Sequence, residues 1–270
     1  MDSAAGFSDI DADVFDRQKR VKGWDQKAVS SANVLVVGAG ALGNEVVKNL
    51  VQIGVGKISV VDYDAIVHAN LNRCVFFSKK NAERKDYKAG VLAERAGLLA
   101  DGTQITPVFK KIEALPAEFY KQFDFAFGCL DNLGARLHLN ANCYGVLPLI
   151  DGGTSGFMGK VQAVFAPSSC VECGMSKRDY DILWKKYSCT GDALDFLDPK
   201  MPALPTTTSA VAAIQVNEFL KMRLNADELN ESDGAAAESG LVGRYLFFNG
   251  LKSTVQVFEV AKRSDCPVHQ

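Results

Sequence analysis

The sequence predicts an α/β fold in which a mostly parallel sheet carries helices on both faces and is extended on one side by antiparallel strands. Three observations lead there. Residues 33–37 (Asn-Val-Leu-Val-Val) form an apolar run without alternation, the pattern of a strand covered on both faces. The spaced glycines Gly38, Gly40 and Gly43 follow at once and open a stretch with Val46, Val47, Leu50 and Val51 at helical spacing. A second apolar strand then lies at residues 57–61. Strand, turn, helix and strand make a βαβ unit.

The remaining elements follow in order. Residues 1–13 are small and acidic and are expected to be disordered, whereas residues 14–31 suggest one or two short helices. After the βαβ unit, the pattern predicts a helix at 86–99, strands at 104–109 and 123–127, a helix at 133–143 and a strand at 148–150. Antiparallel strands are expected at 160–166, 243–248 and 254–260, with a long helix at 208–223 carrying Val211, Ile214, Phe219 and Leu220. Residues 174–205 are poor in regular pattern, and residues 225–241 are rich in Asn, Asp, Glu, Ser, Gly and Ala, which predicts a mobile loop. The chain shows no internal repeat, and residues 14–270 read as a single domain.

Composition narrows the classes of function. With 47% hydrophobic and 23% charged residues the 270-residue chain reads as a soluble globular protein. A net charge of −2 argues against nucleic acid as a partner, since phosphate neutralisation needs a concentrated basic face. No apolar run is long enough for a membrane span, and Asp2, Asp9, Asp11 and Asp13 stand where a signal peptide would be basic and then apolar. The cytoplasm is the expected compartment. Seven cysteines, an odd number, suit thiol chemistry or metal binding better than a disulfide framework.

The motif Gly38-x-Gly40-x-x-Gly43 sits where backbone N–H groups approach a phosphate without Cβ interference and a helix dipole favours negative charge. Asp62, at the end of the next strand, occupies the position that accepts from ribose hydroxyls. Together they predict a Rossmann-like nucleotide-binding unit and leave NAD and ATP open.

Further along come Asp62-Tyr-Asp64, Asn70-Leu-Asn72-Arg73, Lys88-Ala89 and Cys129-Leu-Asp131-Asn132, with Arg136 behind them and Asp16-Arg17-Gln18 ahead. With these the chain resembles the ubiquitin-activating-enzyme superfamily, which includes the ThiF and MoeB adenylyltransferases, over residues 14–267. The resemblance implies roles. Asp62 would bind the ATP ribose within a nucleotide site that also takes in Asp64, Asn70 and Asn132, Arg73 and Lys88 would bind the phosphates, and Asp131 would hold Mg²⁺. Arg17 would reach ATP in the partner subunit of a homodimer. Attack of a carboxylate on an α-phosphate brings two anions together, so fixed positive charge and a metal suit the step. Cys74 stands where the family usually has Gln and reads as a packing residue, as do Cys129 and Cys143.

Residues 148–160 (Pro-Leu-Ile-Asp-Gly-Gly-Thr-Ser-Gly-Phe-Met-Gly-Lys) and residues 201–209 resemble the ubiquitin-type enzymes more than the bacterial biosynthetic ones. They favour as substrate a small ubiquitin-like protein with a C-terminal glycine tail. Cys189, in the segment Tyr187-Ser-Cys-Thr-Gly191, resembles the catalytic cysteine of those enzymes. A thiolate there would take the acyl group as a thioester before transfer to a conjugating partner. The segment after Cys189 is much shorter than the cysteine domain of eukaryotic enzymes.

Cys170-x-x-Cys173 and Cys266-Pro-Val-His269 are two pairs of equal spacing, far apart in sequence. Two such pairs make a closed tetrahedral Zn²⁺ site, structural in kind because no position stays open. His68, His138, Trp24 and Trp184 join no constellation. Two other readings stand beside activation with thioester transfer: adenylation alone in a sulfur-carrier pathway, and a NAD-binding oxidoreductase or nucleotide-binding scaffold. The oxidoreductase lacks an obvious hydride-transfer acid after Asp62.

Overall fold

The apolar run at residues 33–37 forms the central strand of an eight-stranded sheet. A computed structural model describes residues 13–176, 179–180, 202–224 and 240–269. The strands are β1 (Asn33–Val37), β2 (Lys57–Val61), β3 (Gln104–Val108), β4 (Phe125–Gly128), β5 (Leu149–Ser155), β6 (Met158–Val164), β7 (Arg244–Asn249) and β8 (Thr254–Glu259). Their order is β3-β2-β1-β4-β5-β6-β7-β8. The first five are parallel, and β6, β7 and β8 continue antiparallel.

The described helices are α1 (Asp16–Lys19), α2 (Gln26–Ser30), α3 (Ala41–Gln52), α4 (Lys79–Arg84), α5 (Lys88–Gly97), α6 (Ala117–Tyr120), α7 (Leu133–Cys143) and α8 (Pro205–Arg223). They cover both faces of the parallel half. On one face α3, α5 and α8 bury Val34, Val36, Val46, Leu50, Leu92, Val211 and Phe219. On the other, α6 and α7 enclose Leu35, Val37, Tyr120, Leu139 and Leu149. The two sets alternate along β1, so every β1 side chain from Val34 on is buried and the run must be apolar throughout.

α8 is the brace of the first face. The Phe219 ring meets Phe125 edge-on at 5.0 Å and lies 5.9 Å from Phe127. The buried Gln215 amide donates to the Gly128 and Ile150 carbonyls at 3.1 and 2.9 Å, joining the ends of two strands through one side chain. The chain steps from β1 outward through β2 and β3, then returns to the other side of β1 as β4. The crevice between the turns after β1 and β4 is therefore the topological switch point, where nucleotides bind in such sheets.

Several boundaries differ from expectation. β5, expected to end at residue 150, runs on to Ser155 because seven residue pairs to β6 carry it through Gly152 and Gly153. α3 begins at Ala41, with Gly40 as its N-cap. α4 was not anticipated; the Ser78 side chain and Asn81 form a reciprocal capping box, with Asn81 where the usual sequence signal has Glu or Gln. Among the described residues no helix is long and apolar enough to cross a membrane. The expected disordered N-terminus and the expected mobile loop at 225–241 lie almost wholly outside the described residues.

Phe219→Ala should cost about 3–5 kcal/mol, because two ring contacts are lost and a backed cavity is left. Urea unfolding followed by far-UV circular dichroism measures it, and the milder Phe219→Leu should recover most of the loss.

Candidate active site and metal centre

The turn after β1 is shaped by what its glycines touch. Gly38 has φ +99°, and a Cβ there would lie 2.4 Å from the Cys129 carbonyl oxygen. A Cβ on Gly43 would lie 1.9 Å from the Gly38 carbonyl oxygen. Both positions are closed to any side chain. A Cβ on Gly40 would meet nothing within 4 Å, so the backbone at the start of α3 faces open space. That space, at the N-terminus of a 12-residue helix, suits a phosphate.

Asp62 holds the turn from below. One carboxylate oxygen accepts from the Ala39 N–H at 2.7 Å and the other from the Asp64 N–H at 2.8 Å. Burial raises its pKa above the ordinary carboxylate value, against the pull of Lys88 and the two N–H donors. Each oxygen keeps a second lone pair for a ribose hydroxyl. Asp64 is fixed in turn to Lys88: its carbonyl accepts the Lys88 N–H at 2.9 Å, and its carboxylate takes the ammonium at 2.7 Å. The Lys88 side chain is only 13% exposed. Burial opposes its charge, but the carboxylates of Asp62, Asp64 and Asp131 prevail and hold its pKa above the ordinary value. Asp131 is itself exposed and follows β4.

Arg73 lies at the other side. Its guanidinium donates to the Ala69 carbonyl and to Asn72 Oδ1, which fixes it against its own loop. Asn70 shapes that loop by accepting from the Val67 N–H at 3.0 Å. Cys74, next in the chain, is buried, and burial outweighs the smaller influence of the Arg73, Lys88 and Asp62 charges on its thiol. The thiol itself is buried and pushed up to about 11, so it stays protonated near neutrality and serves packing. Cys129 and Cys143 are likewise buried, and burial drives both thiols up.

Two predicted site residues have structural partners here. Asn132 is the N-cap of α7, accepting from the Ala135 N–H at 2.7 Å. Arg136 pairs with the buried Asp151 on β5. Arg17 is not brought to the turn of its own chain. Its neighbour Gln18 donates to the Ile53 carbonyl at the far end of α3, about 18 Å from the glycines for a helix of this length. Cys189 lies outside the described residues, as does most of the segment 174–205. The pairing of Asp64 with Lys88 and the capping by Asn132 were missed in the sequence. An Asn immediately before a helical pattern was the available signal for the cap.

The two separated pairs meet. Cys170 Sγ is 3.9 Å from Cys173 Sγ and 3.7 Å from Cys266 Sγ, and Cys173 Sγ is 3.7 Å from His269 Nε2. All four ligand atoms lie within 4.8 Å of one another. A tetrahedron of Zn–S bonds of ~2.3 Å has edges of ~3.8 Å, which the three separations of 3.7–3.9 Å match, so the set suits zinc. Burial, with the Lys262 charge adding to it, lowers the pKa of His269 and favours the neutral imidazole that ligates. Its ring stacks on Tyr144 at 4.6 Å, which sets its orientation.

A model of the ThiF family matches residues 13–268. The chain belongs to the ThiF family. Relatives of this ThiF-family chain include the NEDD8-activating enzyme E1 catalytic subunit of Schizosaccharomyces pombe, 34% identical over 156 residues. The match covers 55% of this chain and 35% of the relative. The SUMO-activating enzyme subunit 2 of Dictyostelium discoideum is 36% identical over 149 residues, covering 54% of this chain and 22% of the relative. The chain thus spans about a third or less of these relatives' lengths. E. coli MccB with ATP shares the fold, with TM-score 0.69 and 18% identity, covering 91% of this chain and 68% of that one.

The purified chain should hold about one zinc per molecule by elemental analysis, and Cys266→Ser should lower both zinc content and melting temperature. Chelation should lower the melting temperature of the parent chain toward that of the variant.

Proposed function

We propose that this chain activates the C-terminal glycine carboxylate of a small ubiquitin-like protein by adenylation with ATP. The observation that supports the reading is the chain of contacts from the glycine turn through Asp62 and Asp64 to Lys88, beside the open backbone at Gly40. One carboxylate oxygen of the tail attacks the α-phosphorus, the bond to the bridging oxygen of the β-phosphate breaks, and pyrophosphate leaves with the electron pair. Gly40 and the N-terminus of α3 receive phosphate oxygens, and Lys88 and Arg73 offset the charge that accumulates as two anions meet. Asp62 holds the turn and accepts from the ribose. Exposed Asp131 would hold Mg²⁺, which would neutralise phosphate charge when bound.

The glycine tail is favoured as substrate by the family membership and by the names of the relatives, which activate NEDD8 and SUMO. In the following step the Cys189 thiolate attacks the acyl carbon and AMP leaves, giving a thioester for a conjugating enzyme to accept. The placement of Arg17 far from its own turn favours a homodimer in which each Arg17 serves the partner's site.

With a cognate modifier the chain should catalyse modifier-dependent exchange of pyrophosphate into ATP, and Asp131→Ala should lower that exchange by about 10²-fold or more. Exchange that is absent across ubiquitin-like proteins, despite ATP binding, would reject the enzyme. Cys189→Ala should keep exchange but lose a thiol-sensitive adduct with the modifier on a non-reducing gel; an adduct that persists would assign the thioester elsewhere.

A further inference from the structure

Asn44 follows Gly43 in the first turn of α3 and is fully buried. A polar side chain at that depth needs partners, and Asn44 has them on both sides. Its amide nitrogen donates to the Ala39 and Gly40 carbonyls, at 2.9 Å each, and its Oδ1 accepts from the Phe76 N–H at 3.2 Å. Only one orientation of the amide serves all three, because a carbonyl only accepts and an N–H only donates. In a trans peptide the N–H points away from the C=O. With the Ala39 and Gly40 carbonyls drawn inward to Asn44, the Gly40 and Ala41 N–H groups, which share those peptide units, are turned away from the core. That is the orientation a phosphate at the start of a helix requires.

The other side of the amide holds the loop that carries Arg73. Phe76 belongs to a run of consecutive turns in which the Arg73 and Cys74 N–H groups donate to the Asn70 carbonyl at 3.1 and 3.0 Å, and the Phe77 N–H donates to the Cys74 carbonyl at 3.1 Å. A segment tied at each turn moves as a unit. A bond at Phe76 therefore sets where the stem of Arg73 stands relative to the glycine turn, 32 positions away in sequence from Asn44 to Phe76. Among the described residues no other hydrogen bond joins the glycine turn or α3 to this segment.

Resting on the adenylation reading, we infer that Asn44 is a positioning residue that couples the two parts of the phosphate site: it turns the backbone donors of the glycine turn outward and sets Arg73 against them, so that both reach one polyphosphate. Being fully buried, Asn44 acts through the turn and the Phe76 segment and touches no nucleotide itself.

Equilibrium binding of ATP and of adenosine to the full chain, with Mg²⁺ present, tests this apart from activity. The proteins form a double-mutant cycle: the parent, Asn44→Ser, Arg73→Ala and the double variant. A Ser side chain is too short to bridge the turn and Phe76. Asn44→Ser should lower ATP affinity about tenfold and leave adenosine affinity unchanged, because adenosine carries no phosphate. Arg73→Ala should cost about tenfold in the parent but under about threefold in the Asn44→Ser background, where Arg73 is no longer held at the turn. Equal falls for ATP and adenosine, or no fall at all, reduce Asn44 to a packing residue and overturn the inference. An Arg73 effect of the same size in both backgrounds overturns it as well. Should Asn44→Ser fail to fold by circular dichroism, the isosteric Asn44→Asp, which keeps the acceptor for Phe76 and loses both donors, replaces it in the cycle. A coupled cycle without pyrophosphate exchange would reject adenylation and spare Asn44, whereas exchange with an additive cycle would do the reverse.

Discussion

The architecture depends on one steric constraint: three backbone segments meet at the end of β1 with no room for a β-carbon. Gly43 presses on the Gly38 carbonyl, and Gly38 presses on the Cys129 carbonyl. The first contact sets how closely α3 approaches the turn, and the second sets how closely the loop after β4 does. Because that loop leads directly to Asp131 and to the Asn132 cap of α7, the spacing between glycine turn and acidic loop is fixed by main chain. Side chains with rotamer freedom would leave it loose. Gly40, in the same turn, has the opposite property and is left facing space.

The charges around this turn form a chain of dependence. Asp62 ties down Ala39 and Asp64, Asp64 ties down Lys88, and Lys88 stands in the field of Asp131. Three carboxylates around one ammonium leave the group with excess negative charge. On the proposed reading, a polyphosphate entering such a group would need a divalent cation at Asp131 and the additional charge of Arg73, so nucleotide and metal would arrive together.

Much of this was legible in the sequence, for identifiable reasons. The β1 run could be read because burial on both faces removes alternation, and the glycine turn because its spacing follows from the contacts just described. The two cysteine-containing pairs could be joined because their spacing is that of half a tetrahedral site. Other features were hidden. The strand expected at 148–150 stopped short of Gly152 and Gly153, since nothing local announces that β6 will pair alongside. Asp62 was expected at a ribose, and its hold on the turn was not foreseen, because a hydrogen bond to Ala39 spans 23 positions. Asn70 and Asn132 carried a family resemblance, yet their observed bonds are to backbone N–H groups of their own loop and helix.

The four-ligand cluster links segments that are far apart in the chain: Cys266 and His269 join residues 96 positions earlier. When metal binds, it closes a loop about a third of the chain long. The conformational entropy such a closure removes from the unfolded chain is on the order of 4–5 kcal/mol by analogy with a disulfide of that span. Unlike a disulfide, the link responds to metal supply, and the folded fraction of the protein becomes a function of free zinc in its surroundings.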